Sequence, residues 1–223
     1  MLVISDDGSS LATDMSLISA LAADDESVRL KAALAAGSSP DPSLLGVLVE
    51  RCAVEPDFYV RDMLTWALTR LPSEITVPRL ITELRSERAQ ARSQALHTLS
   101  KIRDARAWPA ITSSLLRDSD AEVARSAWRA AVVLVPCGQE RALAEELAKQ
   151  FGRGNQDVQL SLSRALVALG EEVVEPVLRS AAASLDPAVQ AHASATERIL
   201  RDPDVGSARA VDAAKRRFVL GKE

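Results

Sequence analysis

From Val60 the chain runs VRDMLTWALTR, with apolar side chains at the spacing of one helix face and polar ones between them, until Pro72 breaks the pattern. The same pattern returns. With Val60 as an origin, equivalents fall at Val28, Ala91, Val123, Val158 and Val189, at successive spacings of 32, 31, 32, 35 and 31 residues. Four residues after each origin stand Ala32, Leu64, Ala95, Ala127, Leu162 and Ala193, and seven after stand Ala35, Ala67, Thr98, Ala130, Ala165 and Thr196. The second of these columns is small throughout, as a close helix–helix contact requires. Three residues before each origin come Asp25, Asp57, Arg88, Asp120, Asn155 and Asp186; five of these six are Asp or Asn, the side chains that cap a helix N-terminus.

A second helix follows in each copy. Pro78, Pro109 and Pro176 lie eighteen residues past their origins, where the pattern predicts a first helical turn that does not need the missing N–H. Apolar residues follow at twenty (Leu48, Leu80, Ile111, Leu143, Leu178) and at twenty-four (Cys52, Leu84, Leu115, Leu147, Ala182). Each copy therefore predicts a helical hairpin that cannot bury its apolar stripe alone, so the copies must stack. The expected fold is all-α, an α-solenoid of about five to six hairpins closed by capping helices. One helix is expected at residues 14–23 and another from Ala208 to Val219, after a mobile lead-in over residues 1–13, so that residues 14–223 form a single domain.

The Asp-x-x-Val-Arg start, the two short helices and the period near 31 residues resemble the HEAT-repeat family, particularly its short bacterial form, over roughly residues 24–201. The resemblance implies an architecture of the armadillo type. It also implies a ladder between Asp25, Asp57 and Asp120 and Arg29, Arg61 and Arg92. Arg88 in place of the acidic cap, Ala124 followed by Arg125, and Gln159 and Gln190 in place of arginine depart from that pattern, so the ladder is expected to weaken toward the C-terminus.

Composition narrows the function classes. Only 3% of residues are aromatic against 47% hydrophobic, which favours closely packed helices over a sheet-built core. The formal charge of −4 argues against a general nucleic-acid binder, although it is unevenly spread. Residues 1–57 carry 3 basic and 10 acidic side chains, and residues 61–106 carry 9 basic and 5 acidic. Cys52 and Cys137 are too few for a disulfide framework, the longest apolar run is short of a membrane span, and the N-terminus lacks the pattern of a signal peptide. A cytoplasmic protein without a membrane partner is expected.

Candidate chemistry is sparse. His97 and His192 stand three repeats apart, roughly 30 Å at one helix layer per repeat, and cannot share a site. Neither is followed by Glu, whereas the HEAT-like deoxyhypusine hydroxylases use His-Glu pairs to hold iron. No metal, cofactor or catalytic residue is expected. Cys52 falls in an apolar column and reads as a buried thiol. FGRGN at residues 151–155 reads as a loop between helices, since no strand-like segment precedes it and no Lys-Ser/Thr follows.

Two surfaces are candidates for binding. The exposed face of the second helices, which a HEAT solenoid turns to its concave side, carries Arg79, Glu83, Ser114, Arg117, Glu146 and Lys149, a mixture suited to a protein or peptide partner. Six residues past each origin lie Leu34, Trp66, His97, Arg129, Arg164 and Ala195, a row able to receive an acidic partner with Trp66 as anchor. The expected function is a non-catalytic scaffold or adaptor that binds a protein on its concave surface. Two alternatives come from the resemblance. One is an alkylpurine DNA glycosylase, for which Trp66, Trp108 and Trp128 would be the relevant side chains; the other is a relative of the phycobilin lyases.

Overall fold

A computed structural model describes residues 16–202 of the 223-residue chain. The expectations for residues 1–13 and for a terminal helix over 208–219 fall outside the described residues. The chain divides into two compact units, residues 1–110 and 111–223.

The first unit holds α1 (Glu26–Ser38), α2 (Leu45–Cys52), α3 (Phe58–Arg70), α4 (Ser73–Glu83) and α5 (Ala89–Ile102), with 3₁₀ turns at Pro42–Leu44 and Ala105–Ala110. The second holds α6 (Ser113–Leu116), α7 (Ala121–Leu134), α8 (Glu140–Ala148), α9 (Gln156–Val167), α10 (Glu171–Ala182) and α11 (Pro187–Arg201). A helical stretch over residues 16–21, with Leu21 buried, precedes α1 where a lone helix is expected. Within the described residues all regular structure is helical.

Each first helix starts where the capping column places it. Asp25, Asp57, Asp120, Asn155 and Asp186 are the N-caps of α1, α3, α7, α9 and α11, and each side chain accepts a hydrogen bond from a free backbone N–H of the first turn. Arg88 holds the same position before α5 and makes no side-chain cap. In the first unit α1 packs on α3 and α3 on α5, while α2 and α4 lie against first helices. In the second unit α7 packs on α9 and α9 on α11, with α6, α8 and α10 beside them. Each unit is thus a stack of hairpins, the all-α solenoid arrangement that the repeat predicts.

The column four past each origin is buried in every copy. In the column seven past, Ala67, Thr98 and Ala130 are wholly buried and Ala35 is exposed. Ala35 borders a groove of about 610 Å³ that Leu17 and Ala20 also line. Ala182 is exposed too and borders a groove with Leu178 and Ala193. Ala67→Leu and Ala130→Leu should each overpack a filled layer and cost about 1–3 kcal/mol, read as a lower urea midpoint. Unchanged midpoints for both would refute the register.

Two expectations about the second helices are corrected. Pro78 and Pro176 lie inside α4 and α10 rather than in their first turns, because those helices begin directly after the breakers Pro72 and Gly170. Five helical residues precede each proline, so the carbonyl deprived of its N–H partner lies close to the start of the helix. In the third copy the expected helix is broken: Trp108 and Pro109 fall in the 3₁₀ turn, and only the single turn α6 follows. The boundary between the two units falls in this broken segment.

Candidate functional site

The residue after each origin clamps the loop that leads into its own helix. The Arg29 guanidinium donates to the carbonyls of Ala23 (2.9 Å) and Asp24 (2.6 Å), Arg61 to those of Glu55 (2.8 Å) and Pro56 (2.6 Å), and Arg92 to those of Ser86 (2.8 Å) and Glu87 (3.1 Å). Gln190 repeats the contact on Ser184 at 2.6 Å, and Gln159 reaches Gly152 and Gly154 more weakly, at 3.4 and 3.3 Å. The ladder implied by the family resemblance is therefore corrected. Asp25, Asp57 and Asp120 direct their carboxylates to helix caps, and the arginines hold loop carbonyls. A short amide can reach those carbonyls but an alanine cannot, which explains why Gln replaces Arg at two positions and why Ala124 leaves a vacancy. Arg153, from the FGRGN loop, fills it by donating to the Asp118 carbonyl.

In four of the six copies the loop residue two before the cap position adds a second bond. Glu55, Ser86, Asp118 and Ser184 accept the backbone N–H of Asp57, Arg88, Asp120 and Asp186 through their side chains, at 2.9–3.3 Å. In the sequence this column reads Ala23, Glu55, Ser86, Asp118, Arg153 and Ser184, with oxygen acceptors in four of the six copies.

Glu55 exceeds that role. Its carboxylate is wholly buried and receives Nε and Nη2 of Arg29 at 2.8 and 2.9 Å and Nε of Arg51 at 2.7 Å. Its carbonyl accepts the side-chain amide of Gln90 at 2.8 Å, so one residue joins α1, α2, α3 and α5. Burial alone would raise its pKa, but the hydrogen bonds from Arg29, the Asp57 amide and Arg51 outweigh that and hold it down to about 2.

In the second unit the FGRGN loop is anchored on His192. The Gly152 N–H donates to Nδ1 at 3.1 Å, which leaves the ring proton on Nε2, directed at the Gln159 carbonyl (2.9 Å) and the Ser163 hydroxyl (3.1 Å). Ser163 continues to Thr196 at 2.7 Å, and Phe151 lies edge-on to the imidazole. Gly152 takes φ of 79°, where glycine alone is unstrained. Burial pushes the His192 pKa below its ordinary value, the Gln159 carbonyl opposing. Because the unfolded chain takes up this proton near 6.5 and the folded one only at lower pH, the stabilisation is complete above 6.5 and is lost as pH falls through the folded value. The Gly152 amide should be protected from hydrogen exchange at neutral pH and lose protection on acidification, measured by NMR, ahead of amides in the middle of α9.

The residues expected on the second-helix face are charged and mutually paired. Arg79 and Glu83 form an ion pair one turn apart on α4. Glu146 on α8 accepts Nε of Arg117 at 2.7 Å and Nζ of Lys149 at 2.6 Å, while Ser114 hydrogen-bonds Thr112. Burial opposes ionisation of Glu146, but Lys149 and Arg117 hold its carboxyl below the ordinary range. The row six past each origin lies at the surface: Leu34, Trp66, Arg129 and Arg164 are exposed and His97 is half-buried. Trp66 lies across α1, where a Cβ on Gly37 would stand only 2.2 Å from the indole. Trp128, by contrast, is wholly buried and donates its Nε1–H to the Leu116 carbonyl at 2.8 Å, so it presents no face to a nucleobase. Cys52 is buried and its thiol is pushed up to about 12, whereas Cys137 is exposed.

Stacked helical hairpins, helix caps in register and clamped inter-repeat loops define a helical-repeat protein. More particularly, residues 47–132 match the model of the HEAT repeats. No curated protein matches the chain. Two engineered proteins solved by the Northeast Structural Genomics Consortium are similar in structure. One is 22% identical, with 86% of this chain and 96% of that one covered at a TM-score of 0.46. The other is 18% identical, with 83% and 97% covered at a TM-score of 0.47. Among the described residues no helix is long and apolar enough to cross a membrane.

Proposed function

We propose that this protein is a non-catalytic scaffold that holds a protein partner on the exposed face of its second helices. The observation that carries the reading is the division of labour among its polar groups. Those with chemical potential are built into the frame: Glu55 and Arg29 tie repeats together, and the close approach of Ser163 to His192 is sealed, each being 2% exposed. A hydroxyl and an imidazole so enclosed meet no substrate. The groups left at the surface are charges set in repeat register, with Arg117, Glu146 and Lys149 gathered from neighbouring elements. Such arrays select a partner and fix its register more than they add affinity.

The test is affinity capture from native lysate with mass spectrometry, comparing the intact protein with one altered at Arg79, Glu83 and Arg117 together. Specific loss of a captured protein in the triple variant supports the second-helix face. A captured protein retained by the variant keeps the scaffold and removes this face. Recovery of nucleic acid alone, in a salt-sensitive manner, would overturn the scaffold reading.

A further inference from the structure

Among the described residues most of the exposed bulky apolar side chains lie in the first unit, with Val133 and Leu185 exposed in the second. Val28, Leu34, Val54, Phe58, Tyr59 and Trp66, all in the first unit, are each at least 37% exposed. Three of them belong to one surface. On α3, Tyr59, Met63 and Trp66 follow at one and two turns and so share a face, and the Trp66 ring lies over Gly37 of α1, one turn past the exposed Leu34 on that helix. The result is an apolar seam between two helices already packed on each other, with an aromatic anchor whose seat exists only because residue 37 has no side chain.

Its charged border is mostly basic. Lys31 on α1, Arg70 at the end of α3 and Lys101 at the same register on α5 are exposed cations, with Asp62 on α3 and Asp25, in the electrostatic range of Lys31, as nearby carboxylates. None of these three cations has an ion-pair partner within 4 Å among the described residues. On the second helices, by contrast, Arg79, Arg117 and Lys149 already have carboxylates. A ligand binding there must break those pairs, whereas one arriving at the seam gains charge contacts at no such cost.

We propose that the α1–α3 seam is a second docking surface, which takes an acidic segment of a protein partner carrying bulky apolar side chains, with Trp66 as its anchor. The segment's carboxylates meet Lys31, Arg70 and Lys101, and its apolar face covers Tyr59, Met63 and Trp66. A nucleic acid fits less well, because it needs a continuous basic track and the seam offers three separate cations. The inference rests on the scaffold reading and on no residue used for the second-helix face.

The test uses labelled synthetic peptides of about five helical turns and fluorescence anisotropy on the full chain. One peptide alternates faces of Glu and Leu, a second replaces Glu by Lys, a third replaces Leu by Ser, and a single-stranded oligonucleotide of similar length completes the set. The Glu/Leu peptide is expected to bind, more weakly as salt rises, and Trp66→Ala and Arg70→Glu are each expected to weaken it about tenfold or more, as loss of an anchor does. Arg70→Glu alters an exposed helix end, and its unchanged circular dichroism and melting curve would show that the fold is kept. No binding of the Glu/Leu peptide, equal binding to both variants, or preference for the Lys/Leu peptide or the oligonucleotide would overturn the seam. Capture of a protein partner from lysate that is undisturbed by Trp66→Ala and Arg70→Glu would remove the seam while leaving the scaffold reading intact.

Discussion

Glu55→Ala is expected to destabilise the protein by about 3–5 kcal/mol, more than any surface substitution considered above. The carboxylate is wholly buried and the Arg29 side chain is 6–7% exposed, so removing the anion leaves a guanidinium without a counter-charge where water scarcely reaches. The Asp57 amide and Arg51 lose a partner as well. Urea denaturation followed by circular dichroism measures the loss, and a midpoint near that of the unaltered protein would show that Glu55 does not hold the repeats together. Glu55→Gln separates charge from shape. The folded protein keeps this carboxylate ionised down to about pH 2, whereas the unfolded chain protonates near 4.5. Its contribution is therefore complete above pH 4.5 and is lost as pH falls from there through about 2. The unaltered protein should lose stability over that window, and the Gln variant, already lacking the charge, should lose less.

Trp128→Ala is the second large expectation, at about 3–5 kcal/mol from the cavity and lost contacts of a wholly buried indole. The Leu116 carbonyl also loses the N–H that satisfies it at the end of the single turn α6. Trp128→Phe fills most of the space without the donor and should fall between the two, so the pair of variants divides packing from hydrogen bonding. If Trp128→Ala melts with the unaltered protein, the indole is not part of the core of the second unit. Such a result would also reopen its availability to a nucleobase.

Capping and apolar columns were legible because they depend on neighbours within one turn. An Asp three residues before an origin caps its helix whatever the rest of the fold does, and five of the six cap positions make the expected side-chain bond. The buried columns follow from the same periodicity, with Ala35 and Ala182 exposed as departures from it. Trp66 and Trp128 both stand in first helices, but Trp128 lies one position earlier in its repeat, which puts it in the core rather than in the surface row.

The partners of the arginines were beyond reach of the sequence. Arg29 meets Glu55 across 26 residues and Gln90 meets the Glu55 carbonyl across 35, and nothing in the local pattern distinguishes Glu55 from an ordinary loop carboxylate. Arg153 likewise takes up a carbonyl 35 residues earlier, in place of the arginine that Ala124 lacks. By itself, then, the sequence determined the first helices, their starts and the faces they bury, since helix formation and capping are decided by short-range sterics and hydrogen bonding. Only the tertiary structure decided that Arg29 pairs with Glu55, that Gln90 reaches the Glu55 carbonyl and that Arg117 meets Glu146, because each outcome depends on groups that stacking brings together from different repeats.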